Sequence, residues 1–363
     1  MNFHDVVKRP SLIVDIGRVE QNVARMAKRC HDASAAFRPH FKTHQSGLIG
    51  EIFRAKSVRK ITVSSVSMAS YFAHHGWDDI TIAFPFNPRE IGQIAELQQL
   101  AKIALVTASA DTLNILQQSL SSPVDVFLKI DTGYGRSGIE AGQFDDVEVL
   151  ASLTRSSQNT RLAGLLAHGG NTYTVRGLAE IQQIADIGRE RLDNLRRRLD
   201  PGLMTSWGDT PSCSKASMNH YFDEWRPGNF VFYDLMQYHL GSCTLDDIAI
   251  AVACPVVEIQ KSKNRLIIYG GAVHFSREFI EADNHFRLFG YVVRFTESGW
   301  TPPLAGAWLE SLSQEHGIVR TTKEMNDLKA SDIIGILPIH SCLTVSALRE
   351  MYDLNGTHIP CMK

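Results

Sequence analysis

Between residues 36 and 235 short apolar runs alternate with stretches of 3.6-residue periodicity. The apolar runs predict strands at 36–42, 60–65, 79–84, 102–107, 124–130, 162–167, 204–208 and 230–233. Helices are predicted between most of them, at 46–55, 68–75, 88–97, 112–118 and 178–198. The last ends in the basic run Arg196-Arg197-Arg198, just before the turn residues Asp200-Pro201-Gly202. Eight short strands alternating with helices are the rhythm of an α/β fold of the (β/α)8 TIM-type barrel kind. A doubly wound sheet is the rival, but it rarely uses eight evenly spaced units.

After about residue 240 the rhythm changes. Residues 248–254, 256–260, 265–269, 289–295 and 317–320 read as strands separated by turns, with few helices. A barrel over residues 20–240 followed by a mainly-β domain over 241–363 is therefore expected. The strand at 11–15 brings residues 1–19 to that second domain.

Composition narrows the partners. With 37 Lys+Arg against 39 Asp+Glu and no basic block, neither nucleic acid nor an anionic membrane is an expected partner. No apolar run approaches the roughly 20 residues of a membrane span. Residues 1–10 have no apolar core of a signal peptide. The six cysteines, at 30, 213, 243, 254, 342 and 361, form no CxxC pair, which favours reduced thiols in a cytoplasmic setting.

Candidate chemistry lies where strands end. Arg38-Pro39-His40-Phe41-Lys42-Thr43-His44 closes the first strand. Barrels do chemistry at that end, and a lysine in such a site can hold an aldehyde cofactor through its amine; a surface lysine at a strand end is the plainer alternative. Lys129-Ile130-Asp131-Thr132-Gly133-Tyr134-Gly135-Arg136 spans the end of the fifth strand. It reads as a ligand loop using Arg136, or as a glycine-rich turn with a salt bridge. His168-Gly169-Gly170-Asn171-Thr172-Tyr173 follows the sixth strand, with His168 placed for proton transfer and Tyr173 for a cofactor hydrogen bond. A loop with a satisfied histidine is the alternative. Gly208-Asp209-Thr210-Pro211-Ser212 follows the seventh strand, where barrels often bind phosphate. An ordinary helix cap by Thr210 or Ser212 is compatible with that. Tyr233, on the expected eighth strand, is a further hydroxyl for phosphate.

Near the other end of the chain, Pro338-Ile339-His340-Ser341-Cys342 sets an imidazole and a thiol two residues apart. In extended chain both would face one side, as a metal site needs. Two ligands are few, and a buried cysteine beside a strand histidine is the alternative. A thiolate favours zinc over magnesium or manganese. His316 is a candidate neighbour of that metal, or part of a polar turn.

In their order from Arg9 to Cys342 these segments resemble the D-serine dehydratase and D-threonine aldolase family. It belongs to the alanine-racemase-type, fold-type III pyridoxal phosphate enzymes. The resemblance also rests on Arg9-Pro10-Ser11-Leu12-Ile13-Val14-Asp15, on Arg226-Pro227-Gly228-Asn229-Phe230-Val231-Phe232-Tyr233-Asp234 and on Glu315-His316-Gly317. It implies a pyridoxal 5'-phosphate barrel, a C-terminal β domain and a homodimer. It implies Lys42 as the lysine that carries the cofactor, Arg136 near the phenolate, Tyr173 near the ring nitrogen, and Gly208, Asp209, Thr210 and Tyr233 around the phosphate. It implies His340 and Cys342 as ligands of Zn2+ or another divalent metal. The His-x-Cys form resembles the dehydratases; many aldolases carry His-x-Asp instead.

Two departures stand out. Tyr269-Gly270-Gly271-Ala272-Val273-His274 replaces a common Asp-x-Gly, and Pro338-Ile339-His340 replaces Pro-Asn-His. The expected function is a lyase releasing a 2-oxo acid and ammonia from a D-3-hydroxy amino acid such as D-serine. Aldol cleavage to glycine and an aldehyde is the alternative, with amino-acid racemisation the third. A cofactor carrier without the second domain does not account for the added length.

Overall fold

The computed structural model describes residues 7–282 and 286–363. Six of the ten N-terminal residues read as lacking a signal core therefore lie outside the described residues. The chain divides into two compact units. One comprises Ala24–Lys42 and Gly50–Phe230; the other comprises residues up to Val23, Thr43–Ile49 and Val231–Lys363. No helix among the described residues is long and apolar enough to cross a membrane.

The first unit is the expected barrel. Its strands are β1 (Ala36–Phe37), β2 (Ile61–Val63), β3 (Asp79–Pro85), β4 (Lys102–Thr107), β5 (Val124–Asp131), β6 (Thr160–Ala167), β7 (Met204–Trp207) and β8 (Glu224–Trp225). They run in parallel in the order β1-β8-β7-β6-β5-β4-β3-β2. A parallel bridge between His40 and Thr62 closes the ring. Parallel strands are covered on both faces, which is why Ile61–Val63 is buried at every position. Helices start on side-chain caps: Ser65 accepts from the Met68 amide and Ser109 from the Thr112 amide.

Two strand expectations are corrected. The first strand is shorter than 36–42, because Pro39 offers no amide to the ladder, and residues 41–44 form a turn. The eighth is Glu224–Trp225, not 230–233. Pro227-Gly228 ends it, and Asn229–Val231 is a 3-10 turn. Phe230, Val231 and Phe232 are buried all the same, and a short buried run does not reveal whether it is strand or turn. The sequence pattern did not place the long helices Ile16–Asp32 and Phe144–Ser156, nor the short Leu235–His239 and Ser341–Leu348. The first buries Val19, Val23, Met26 and Cys30, a stripe at helical spacing.

The barrel interior is charged. Arg38 donates to Asp79 Oδ1 at 2.7 Å and to Glu224 Oε2 at 2.6 Å. Ser206 donates to the other oxygen of Glu224 at 2.6 Å and accepts from Arg226 Nε at 2.7 Å. This chain of bonds ties β3, β1, β8 and β7 together and ends on Arg226, just past β8.

The second unit is a closed antiparallel barrel. Strands β9 (Ile250–Gln260), β10 (Arg265–Tyr269), β11 (Gly290–Val293), β12 (Trp308–Leu312), β13 (His316–Arg320) and β14 (Ile333–Pro338) pair in the order β10-β13-β12-β11-β14-β9, and β9 returns to β10. The two strands expected at 248–254 and 256–260 are one, with a register shift between Val256 and Glu258. The strand Ser11–Val14 joins β9 antiparallel and Glu350–Asp353 in parallel.

Candidate active site

In the first unit the expected residues gather at the C-terminal ends of the strands. Lys42 lies in the turn after β1. Its backbone amide meets His40 Nδ1 at 3.3 Å, and in the second unit the Ser46 amide meets His44 Nδ1 at 3.2 Å. Both histidines thus shape the turns beside the lysine. Each accepts an amide, so each is neutral, and burial holds His40 well below the usual imidazole range and His44 down at about 3.

After β5, Asp131 accepts the amides of Gly133, Tyr134 and Gly135, each at 2.8 Å. Its carboxylate folds the loop that carries Arg136. Gly138 closes this loop at φ +114°, where a Cβ would come within 2.9 Å of the Asp131 amide and the Lys129 carbonyl. After β6, His168 Nδ1 donates to the Gly208 carbonyl, leaving Nε2 as the basic nitrogen. Burial, then Arg136 and Lys42, holds the ring well below its ordinary pKa. Tyr173 follows in a 3-10 turn, its hydroxyl accepting the Thr210 amide at 3.3 Å.

After β7, Asp209 caps the short helix Thr210–Lys215, in place of the expected Thr210 or Ser212. Its carboxylate is occupied by the Ser212 amide at 2.6 Å, the Ser212 hydroxyl and the Thr172 hydroxyl. Burial pushes its pKa up to about 6. Thr210 Oγ1 is buried and has no hydrogen-bond partner among the described residues. A Cβ at Gly208 would stand 3.1 Å from Arg226, a tight approach.

Charge decides what this mouth can hold. Lys129 is buried on β5, and burial followed by Arg226 and Arg136 lowers its pKa to about 7. Arg226, also buried, is lowered to about 10. With Lys42 and Arg136 these make four basic side chains, while Asp131 and Asp209 are engaged by backbone amides and hydroxyls. A group with a phosphate and a phenolate fits such a mouth, and the Thr210 hydroxyl is a free donor for it. A cavity of about 270 Å3 at the ends of β2–β4, lined by Ser64, Phe84, Phe86 and Leu105 among others, includes none of the expected residues.

In the second unit, Tyr233 is buried and held at φ +49°. A bulky residue in the left-handed region is uncommon and marks a backbone constrained by its surroundings. His340-Ser341-Cys342 is not extended chain. His340, two residues past β14, is extended and stands at the N-cap position of the helix Ser341–Leu348, with Cys342 in its first turn. Asp234 clamps the junction, accepting from the Ser341 amide at 2.8 Å and its hydroxyl at 3.1 Å. Thr43 Oγ1 lies 3.2 Å from Cys342 Sγ, and Glu278 Oε2 lies 2.6 Å from His340 Nδ1. Burial would lower the pKa of His340, but hydrogen bonds to Cys342 and Glu278 overcome this and raise it to about 11.

Among the described residues no group of three His, Cys, Asp or Glu side chains is disposed to hold a metal. The pair itself, an imidazole steadied by a carboxylate beside a thiol, is a donor set suited to a thiophilic divalent ion with open positions.

Residues 14–235 match the family described as alanine racemase, N-terminal domain, and residues 249–354 the putative serine dehydratase domain. The chain belongs to the D-serine dehydratase and D-threonine aldolase family. D-threo-3-hydroxyaspartate dehydratase of Delftia sp. (strain HT23) is 30% identical over 92% of this chain and 91% of its own. Its solved structure superimposes with a TM-score of 0.89 at 25% identity, over 99% of both chains. A cysteine-to-alanine variant of that enzyme in a metal-free form gives 0.88 at 25% identity, over 100% of this chain and 99% of its own. D-serine dehydratase of Dictyostelium discoideum is 28% identical over 96% of this chain and 93% of its own. D-threonine aldolase of Arthrobacter sp is 28% identical over 63% of this chain and 62% of its own. The expected family, fold class and enzyme type, a pyridoxal-phosphate-dependent lyase, are borne out.

The family's motifs did not reveal three side chains. Lys129 was quoted only as the start of a loop, though a lysine inside an otherwise apolar strand is itself a signal. Arg226 carried no role, although it follows a strand just as Arg136 does. Glu278 had no signal at all: it is 62 residues before His340, in a polar stretch. His316, expected beside the metal pair, is instead an exposed residue of β13 opposite Tyr269.

Proposed function

We propose that the protein is a pyridoxal-phosphate- and zinc-dependent dehydratase of a D-3-hydroxy amino acid, D-serine or a close relative, releasing a 2-oxo acid and ammonia. The cofactor part rests on the four basic side chains and the unpartnered Thr210 hydroxyl at the barrel mouth. The observation that carries the dehydratase reading is Cys342, whose thiolate selects a soft ion.

When bound, pyridoxal phosphate supplies an electron sink at Cα and the divalent ion a Lewis acid for the β-hydroxyl. Lys42 would hold the cofactor through its amine and would be the base that takes the Cα proton. Arg136 would hold the phenolate side of the cofactor and Tyr173 its ring-nitrogen side. Gly208 and Thr210 would bind the phosphate, with Asp209 holding the turn that presents them, and Tyr233 would be a further hydroxyl for it. His168, kept neutral, passes a proton through Nε2. His340 and Cys342 hold the ion.

The D-threonine aldolase relative supports a second reading, cleavage of the Cα–Cβ bond to glycine and an aldehyde. The test incubates the enzyme, loaded with zinc and pyridoxal phosphate, with D- and L-3-hydroxy amino acids, with and without chelator. Chelator-sensitive release of oxo acid and ammonia from a D-substrate is expected. Glycine plus aldehyde selects the aldolase, and interconversion of enantiomers without either product rejects both.

A further inference from the structure

The metal pair has partners of its own within the second unit. Glu278 Oε2 stands 2.6 Å from Nδ1 of His340, and the hydroxyl of Thr43, a buried residue, stands 3.2 Å from Sγ of Cys342. Each expected ligand is thus held by one side chain from a distant part of the sequence. Asp234 fixes the backbone between them by binding both the amide and the hydroxyl of Ser341. Thr344 Oγ1 closes the turn by donating to the His340 carbonyl at 2.9 Å.

The two contacts differ in what they decide. An ionised carboxylate only accepts, so the nitrogen facing Glu278 must carry a proton. In the neutral ring that a metal requires, this assigns the tautomer of His340: Nδ1 is the donor and Nε2 carries the lone pair. A threonine hydroxyl can donate to a thiolate but does not alter which atom of the cysteine binds. Glu278 therefore determines which nitrogen is offered to an ion, and Thr43 only steadies the sulfur.

We infer that Glu278 is a positioning residue for the divalent metal: its carboxylate orients His340 and fixes the tautomer in which Nε2 is the ligating nitrogen. The inference rests on the reading of His340 and Cys342 as metal ligands. Glu278 acts through the histidine, its Oε2 taken up by the ring N–H. Carboxylate–histidine pairs of this kind raise the basicity of the ring and hold its plane, and their loss typically lowers metal affinity about 10–100-fold.

The experiment uses the full-length enzyme loaded with pyridoxal phosphate and compares wild type with E278A, E278Q and C342A. Zinc affinity is measured by competition with a chromogenic chelator. Cobalt(II) is then substituted and its thiolate-to-metal charge-transfer and ligand-field bands are recorded. Folding is checked by circular dichroism and thermal melting. Zinc binding by wild type with a cobalt–thiolate band that C342A abolishes supports the ligand reading; no band in wild type overturns both that reading and this inference.

Given the band, E278A is expected to bind zinc about 10–100-fold more weakly, with an unchanged melt and the thiolate band retained. E278Q, whose amide oxygen still accepts from Nδ1, is expected to recover most of the affinity. An E278A affinity within twofold of wild type overturns the inference while leaving the ligand reading intact. So does an E278A cobalt spectrum with an altered coordination number, which would make Glu278 a ligand. Loss of affinity in E278Q equal to that in E278A also overturns it, since the tautomer argument requires only an acceptor.

Discussion

The mouth of the parallel barrel and the His340-Ser341-Cys342 junction solve opposite electrostatic problems. The mouth collects cations: Lys42, Lys129, Arg136 and Arg226 stand at strand ends, and the nearby carboxylates of Asp131 and Asp209 are spent on backbone amides. The junction collects groups that accept or share protons: a thiol, an imidazole and the carboxylates of Glu278 and Asp234. On the proposed reading the first takes an anion and the second a cation. Two units of one chain thus advertise two kinds of ligand, and each can be disturbed without touching the other.

The largest effect is expected at Lys42. Lys42→Ala should abolish covalent retention of pyridoxal phosphate after borohydride treatment and lower turnover by about 10²–10⁴-fold, the range for losing a proton-transferring group. Zinc content should be unaltered; retained turnover sinks the assignment of this lysine. Next comes the buried network below the mouth. Glu224→Gln removes one of the two carboxylate partners of Arg38, which is 5% exposed, while Asp79 remains, and should destabilise the protein by about 2 kcal/mol in denaturant unfolding. The solvent-exposed pair Arg9–Glu350 at 2.7 Å is the control, and its removal should cost less than about 1 kcal/mol. Equal losses would mean that the network contributes nothing special.

At the junction, Cys342→Ala should reduce zinc affinity by more than the about 10–100-fold that an outer partner commands, while bound pyridoxal phosphate remains. Unchanged zinc content argues against ligation by the thiol. A pH experiment sharpens the contrast from the other side. Burial depresses Lys129 from 10.5 to about 7, so between those values the unfolded chain binds a proton that the folded chain does not. Stability of the cofactor-free protein should therefore rise with pH from about 7 towards 10.5, with a slope of at most about 1.4 kcal/mol per unit. Lys129→Met should flatten that rise. Bound pyridoxal phosphate, by favouring the charged lysine, should shrink it too.

The barrel was legible because its strands repeat: runs such as Lys102–Thr107 stand between helices at regular intervals, and their ends coincide with the motif residues. The eighth strand was misplaced because 230–233 is as apolar and as buried as a strand, and burial in a turn leaves the same signature. The metal pair was legible as residue types but not as geometry. An extended His-x-Cys and one that crosses from a strand into a helix read alike, since Ser341 can either continue a strand or begin a helix. Glu278 was illegible for a different reason: a side chain that acts through a contact 62 positions away leaves no local pattern. What the sequence could not carry was the set of partners for each polar group, because those arise only when distant segments pack.

The smallest effects expected are at helix caps, and they too separate the two regions. Ser109 caps a barrel helix with a single bond to the Thr112 amide, so Ser109→Ala should cost about 1 kcal/mol and leave both ligand sites alone. Asp234 is a cap of another kind. One oxygen accepts the Gln237 amide at 3.0 Å, and the other accepts the amide and hydroxyl of Ser341. Both oxygens face donors, so in Asp234→Asn the amide NH2 must meet one of them, and a buried donor is left unsatisfied at a cost of about 2 kcal/mol. If the mismatch falls on Ser341, the turn carrying Cys342 loosens and zinc affinity drops along with stability. If it falls on Gln237, only the melt moves. Measuring both quantities on the one variant tells which oxygen matters, and an unaltered melt would show that the clamp does not hold the junction.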